Sequence, residues 1–277
     1  MEKVKIFIKE LFKRINDADV FGLSAQLAYF FLLSLFPFLL FLATLLGYLP
    51  IQSDAALDFL NDYLPGEVSS MVERNFNSLL NNQSGGLLSI GIIGTLWSAS
   101  NGVNALTKAF NKAYKVGENR SFFKGRIIAM GLTIALILTI AVALLLPVFG
   151  RAIGTYVFSF INLSDDFLQI WNTLRWIISS SMFFIVLFVL YILAPNTKVK
   201  LKEAVWGALF ATISWQVVSL GFSYYVSTLG NFSATYGSLG TVIVLMLWFY
   251  MTGIIIITGG VINAVLKKTR LEIKLNK

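Results

Sequence analysis

Neither cysteine nor histidine occurs among the 277 residues. That double absence removes disulfides, thiolate nucleophiles, imidazole acid–base catalysis and the common zinc ligand sets. Charge is scarce as well: only 13% of the residues are Asp, Glu, Lys or Arg, about half the share of a soluble domain. Acidic residues are the scarcer sign, 14 against 22 basic ones, which leaves a net charge of +8. An enzyme built from this chain would have to work with carboxylates, lysines or hydroxyls. No metal site or cofactor is expected.

What fills the chain instead is hydrocarbon. Fully 57% of the residues are hydrophobic and the mean hydropathy is +0.76, the composition of a polytopic membrane protein. The run from Leu239 to Leu266 carries no charged residue and is long enough to cross a hydrocarbon core of about 30 Å at about 1.5 Å per residue. Comparable runs predict an all-α fold: a polytopic bundle of six transmembrane helices at about 20–49, 85–110, 127–148, 171–194, 204–228 and 237–266. Pro37 falls inside the first of them. Residues 1–19 place Val4, Phe7, Ile8, Leu11, Phe12 and Ile15 on one helical face against Lys3, Lys5, Lys9 and Lys13 on the other, the pattern of an amphipathic helix at the membrane surface. Residues 51–83 carry Asp54, Asp58, Asp62, Glu67 and Glu73 and are expected to form short extracytoplasmic helices. A basic tail, 267–277, ends the chain.

With the amino terminus in the cytoplasm, nineteen of the 22 basic residues fall on the inner side, and only Arg74, Arg151 and Arg175 are left for the outer one. This bias predicts a membrane protein with both termini cytoplasmic. It also accounts for the net charge without nucleic acid. The loop residues Lys112, Lys115, Arg120, Lys124 and Arg126 are then candidates for contact with anionic headgroups.

The spans themselves carry polar stripes. Trp97, Asn101, Asn104, Lys108 and Asn111 recur at intervals of four and three and share a helix face, as do Thr212, Gln216, Ser219 and Ser223 in the fifth span, and Trp248, Thr252, Gly259 and Asn263 in the sixth. Together with Gln26 they suggest a polar cavity open to the cytoplasm, lined by Gln26, Trp97, Asn101, Asn104, Gln216, Trp248 and Asn263. The alternative is that these amides hydrogen-bond between helices, which stabilises by about 0.6 kcal/mol per contact on average. No ionisable residue sits near the middle of a span, so a proton relay of the kind common in ion-coupled carriers is unsupported. Ala204/Ala208 and Gly207/Ala211 are pairs of small residues four apart, the spacing that lets helix backbones approach.

Four stretches resemble the YihY/BrkB family of bacterial membrane proteins: Ala25–Phe38, Leu96–Arg126, Ala194–Trp215 and Ala234–Ala264. The most specific elements are Asn111, Tyr114, Glu118 and Arg120, the Pro195-Asn196 pair, and Tyr236-Gly237-Ser238-Leu239-Gly240. The resemblance implies six spans with both ends inside. Members have been labelled ribonuclease BN, linked to virulence, or proposed as envelope transporters. Where many relatives are expected to carry a glutamate in the last helix, this chain has Gly260-Val261-Ile262-Asn263, so a mechanism resting on that carboxylate does not transfer. The expectation is a non-enzymatic transporter or translocator of a lipid or other envelope component, partnered by membrane lipids and an unknown substrate. A membrane scaffold or assembly factor is the alternative, and a ribonuclease the least supported reading.

Overall fold

The computed structural model describes residues 2–46, 85–136, 165–228 and 239–275. The acidic segment 51–83, the far half of the expected third span, most of the 149–170 connection and the Tyr236-Gly237-Ser238 stretch lie outside the described residues. Every regular element among them is a helix, and none of the described residues forms a strand. The helices are α1 (Glu2–Asp17), α2 (Val20–Leu46), α3 (Gly85–Tyr114), α4 (122–136), α5 (Asp165–Leu193), α6 (Leu201–Thr228) and α7 (Leu239–Leu275).

Among the described residues two helical stretches, Leu201–Val226 and Val242–Lys268, are long and apolar enough to cross a membrane. A third span is added if Phe7–Asp17 and Val20–Leu35, which meet at a 51° bend, are taken as one. The bend has a local cause. Asp19 adopts a left-handed backbone with φ 55°, its N–H donates to the Asn16 carbonyl at 2.9 Å, and its own carbonyl accepts the Leu23 N–H at 3.0 Å. One residue therefore closes α1 and opens α2.

The contacts divide the chain into two compact units. The first comprises Met1–Leu23, Leu106–Val217 and Ile254–Lys277. Its core is a close approach of helix backbones permitted by small residues. Ala204, Ala208 and Ala211 of α6 are fully buried, and a Cβ built on Gly207 would collide with the Gly259 carbonyl of α7. A Cβ on Gly259 would in turn meet the Tyr191 hydroxyl of α5, and one on Gly260 the Phe110 ring of α3. Phe110 and Tyr191 stack edge to face at 5.4 Å, and the buried Tyr191 hydroxyl donates to the Ile256 carbonyl at 2.8 Å. Four helices thus converge on three glycines. The small-residue spacing of α6 does what the sequence suggested.

The second unit comprises Ser24–Ala105 and Val218–Gly253. Here α2 packs against α3 and α7 through the same device. A Cβ on Gly102 would sit 3.0 Å from Leu27 and Phe31, and one on Gly253 3.1 Å from Ser24. Phe31 meets Phe249 edge to face at 5.7 Å, and Leu27 and Ala28 are buried between.

Candidate functional site

The motif residues Asn111, Glu118, Arg120 and Asn196, separated by up to 85 positions, form one hydrogen-bonded knot. Helix α3 ends in a Schellman turn: the Val116 N–H reaches back to the Asn111 carbonyl at 2.9 Å, the Lys115 N–H to the Lys112 carbonyl at 3.1 Å, and Lys115 takes φ 55°. That turn folds the following loop under the helix. The Asn111 amide then donates to Glu118 at 2.7 Å and accepts the Asn196 backbone N–H at 2.7 Å, while the Asn196 side chain donates to the Gly117 carbonyl at 2.8 Å. Glu118 accepts the Arg120 N–H at 3.0 Å.

Arg120 completes the knot from the other side. Its guanidinium donates to the carbonyls of Leu193 at 3.1 Å, Ala194 at 2.9 Å and Pro195 at 2.5 Å. These are carbonyls left open where α5 ends, and the planar fork of an arginine suits several at once. The sequence offered Arg120 as a headgroup contact; in the structure its donors are engaged within the chain. Lys267 of α7 closes the same turn, donating to Thr197 Oγ1 at 3.0 Å and the Lys198 carbonyl at 2.9 Å, with its ammonium 5.2 Å from the Tyr114 ring centroid.

Helix α1 is clamped to this end. Glu10 pairs with Arg14 at 2.8 Å and with Lys268 at 2.9 Å, and Arg14, only 5% exposed, also donates to the Ala113 carbonyl in the last turn of α3. The hydrogen bond from Arg14, then the attraction of Lys268, hold the Glu10 carboxyl well below its ordinary range, at about 2, against the opposing effect of burial. Lys112 lies 3.7 Å from Asp19. Lys115 and Lys124 are exposed and Arg126 is half-buried.

The expected cavity residues fall into two groups. In the first, the polar group is spent between helices. Asn263 is fully buried, accepting the Gly207 N–H at 2.7 Å and donating to the Ala204 carbonyl at 3.5 Å. Gln216 donates to Ser180 at 3.0 Å, and the Trp248 indole reaches Ser219 at 3.4 Å.

The second group sits on α3. Ile93 and Trp97 are 65% and 56% exposed, Asn101 and Asn104 are half-buried, and Lys108 and Lys112 are exposed. All six are carried by one unbroken helix at intervals of four and three, so their alignment follows from the helix alone. The opposite face holds Ala99, Val103, Leu106, Ala109, Phe110 and Ala113, all buried. Of the stripe read from the sequence, Trp97 and Lys108 are exposed and Asn101 and Asn104 half-buried, whereas Asn111 is buried in the knot. Gln26 of α2 is half-buried. Because Leu27 touches Gly102, Gln26 and Asn104 lie within about one helical turn of the same depth. Among the described residues neither of these two amides has a hydrogen bond.

A family profile described as virulence factor BrkB matches residues 11–277. The chain belongs to this family. It is 53% identical over 264 residues to the ribonuclease-like protein YfkH of Bacillus subtilis, covering 95% of this chain and 96% of that one. More distant relatives are the UPF0761 membrane proteins of Alteromonas mediterranea, 24% identical over 94% of this chain and 91% of the relative, and of Aliivibrio salmonicida, 28% identical over 87% and 76%. No solved structure matches.

The sequence did not point to Tyr191, or to the joining of Asn111 with Asn196. Both halves of the knot were visible as motifs. Nothing in spacing alone could say that residues so far apart in the chain share hydrogen bonds.

Proposed function

We propose that the protein is a non-enzymatic translocator of membrane amphiphiles in the bacterial inner membrane, with both termini cytoplasmic, and that the exposed stripe of α3 is the track its substrate follows. The observation that carries this reading is Asn104, a half-buried amide of α3 that has no hydrogen bond among the described residues. An amide turned toward hydrocarbon without a partner costs several kcal/mol, roughly 4–8 by transfer to cyclohexane. Ordinary lipid-facing helices do not carry such groups. A headgroup passing along the stripe would supply the hydrogen bond that Asn104 does not make among the described residues, while its acyl chains stay in the bilayer. An asparagine amide, both donor and acceptor, can serve many headgroups.

The enclosed vestibule suggested by the polar faces is not required for this. Asn263, Gln216 and Trp248 bond between helices, and the proposed track needs only a face of α3. A hydrolytic role gains no support from the geometry: among the described residues no three His, Cys, Asp or Glu side chains gather as a metal site would need. The name of the Bacillus relative describes that protein, and it gives no catalytic group here.

The test is reconstitution. Purified protein in liposomes is expected to speed the transfer of fluorescent phospholipids between leaflets, read by a water-soluble quencher. Asn101→Leu with Asn104→Leu should abolish the acceleration while leaving the protein folded. If wild-type proteoliposomes behave like empty ones, the scaffold reading takes precedence. Cysteine labelling of Lys115→Cys, clean because the chain has no native cysteine, checks the orientation. Labelling from outside the cell would overturn it.

A further inference from the structure

Resting on that reading, we infer that the α3 track takes an anionic lipid headgroup, and that Lys108 is the residue that receives it at the basic end of the helix. Lys108 stands one turn from Asn104 on the same exposed face. Among the described residues it has no ion pair. One turn further on, Lys112 lies beside Asp19 at 3.7 Å, so its charge is partly balanced. Lys108 is the first uncompensated cation a headgroup meets before the amides begin.

Charge on the helix itself has only one sign: the thirty residues of α3, Gly85–Tyr114, contain no aspartate or glutamate, and the carboxylate of Asp19 stands beside Lys112, one turn beyond Lys108. Lys108 would hold a phosphate oxygen by a charge-assisted hydrogen bond. Asn104 and Asn101 continue the path with neutral donors, which bind less strongly and so let the group move on. From Lys108 to Trp97 the track spans about 16 Å at about 1.5 Å per residue.

The surroundings identify the anion as lipid-borne. At the far end of the stripe Ile90 and Ile93 are 62% and 65% exposed and Ile92 is 38% exposed. Exposed isoleucines flanking a polar track suit acyl chains and would gain nothing from a water-soluble phosphate.

The experiment compares fluorescent phosphatidylglycerol and phosphatidylcholine in the same proteoliposomes. Phosphatidylglycerol is expected to cross faster by about fivefold, the factor corresponding to ~1 kcal/mol per lysine at a membrane surface. Lys108→Gln should erase that preference, Lys108→Arg should keep it, and Lys202→Gln, an exposed lysine on α6, should leave it unchanged. Equal acceleration of both lipids by the wild type would overturn the anionic assignment and leave the translocator reading standing. Acceleration of neither lipid would end both. Competition by glycerol phosphate in solution at the level seen for the lipid would overturn the lipid source, because a headgroup held within the bilayer is out of reach of that competitor.

Discussion

Asn263 accepts the backbone N–H of Gly207 across the α6–α7 contact at 2.7 Å, at a point where the two helices are too close for any side chain on Gly207. The amide and the glycine depend on each other. Gly207 brings its N–H within reach, and the fully buried Asn263 amide is an acceptor for it from the neighbouring helix. The family likeness had drawn attention to Gly260-Val261-Ile262-Asn263, where relatives are expected to carry a glutamate before the asparagine. The role of Asn263 in this chain is to join two helix backbones.

Gly207→Ala is therefore expected to destabilise the protein by about 1–3 kcal/mol or more, because the obstruction is backbone and side chain from a helix held on several sides. Gly221→Ala, at a position where a Cβ meets nothing within 4 Å, should instead be neutral or gain up to about 1 kcal/mol from helix propensity. Thermal unfolding in detergent, followed by tryptophan fluorescence, separates the two. Equal midpoints for both variants would show that the α6–α7 approach does not matter to stability.

Arg120 distinguishes capping from lipid contact. Lysine keeps the charge that an anionic headgroup would feel but loses the fork that spans three carbonyls at the end of α5. Arg120→Lys should thus loosen the knot nearly as much as Arg120→Gln, by about 1.5–3 kcal/mol for a charge-assisted hydrogen bond lost. Faster amide exchange across residues 115–121 and 194–200 is the readout. Full protection in Arg120→Lys combined with loss in Arg120→Gln would favour the headgroup role.

These two residues show where the sequence was legible. Helical periodicity put Trp97, Asn101, Asn104 and Lys108 on a common face of α3 whatever surrounds it, but the same spacing included Asn111, which is buried. Direction is a different matter. In a membrane both the lipid and the bundle interior are apolar, so hydropathy does not say which face looks out. The clue lay opposite, in Ala99, Gly102, Val103, Ala109 and Ala113, whose small size suits close helix contact. Counting basic residues placed Arg120 with its loop and could not reveal that its partners are carbonyls 73 to 75 positions away.

Lys115 offers a gain in stability. It occupies the left-handed position of the Schellman turn with φ 55°, where a side chain costs about 1–2 kcal/mol and glycine costs almost nothing. No hydrogen bond or ion pair of its side chain offsets that among the described residues. Lys115→Gly is expected to raise stability by about 1 kcal/mol. A lower unfolding midpoint would mean that the lysine side chain makes a contact worth more than the strain, with membrane phosphate as the first candidate to examine.

Acid should release α1 late. The Glu10 carboxyl, held by Arg14 and then Lys268, has its pKa lowered from 4.5 to about 2, so the folded state favours the charged form. The stabilisation is complete above 4.5, the value of the free group, and is lost as pH falls from there through about 2. Protonation removes the acceptor that Arg14 and Lys268 share, and with it one of the ties from α1 to α7. A spin label on Asn16→Cys, an exposed position on α1, reports the docking in a chain with no other cysteine. The label is expected to stay ordered well below 4.5 and to gain mobility only as pH approaches about 2. Glu10→Gln should be mobile already at neutral pH and should show no such transition. A wild-type transition centred near 4.5 would mean that Glu10 gains nothing from its two partners, and that α1 is held by its apolar face and by Arg14 on the Ala113 carbonyl alone.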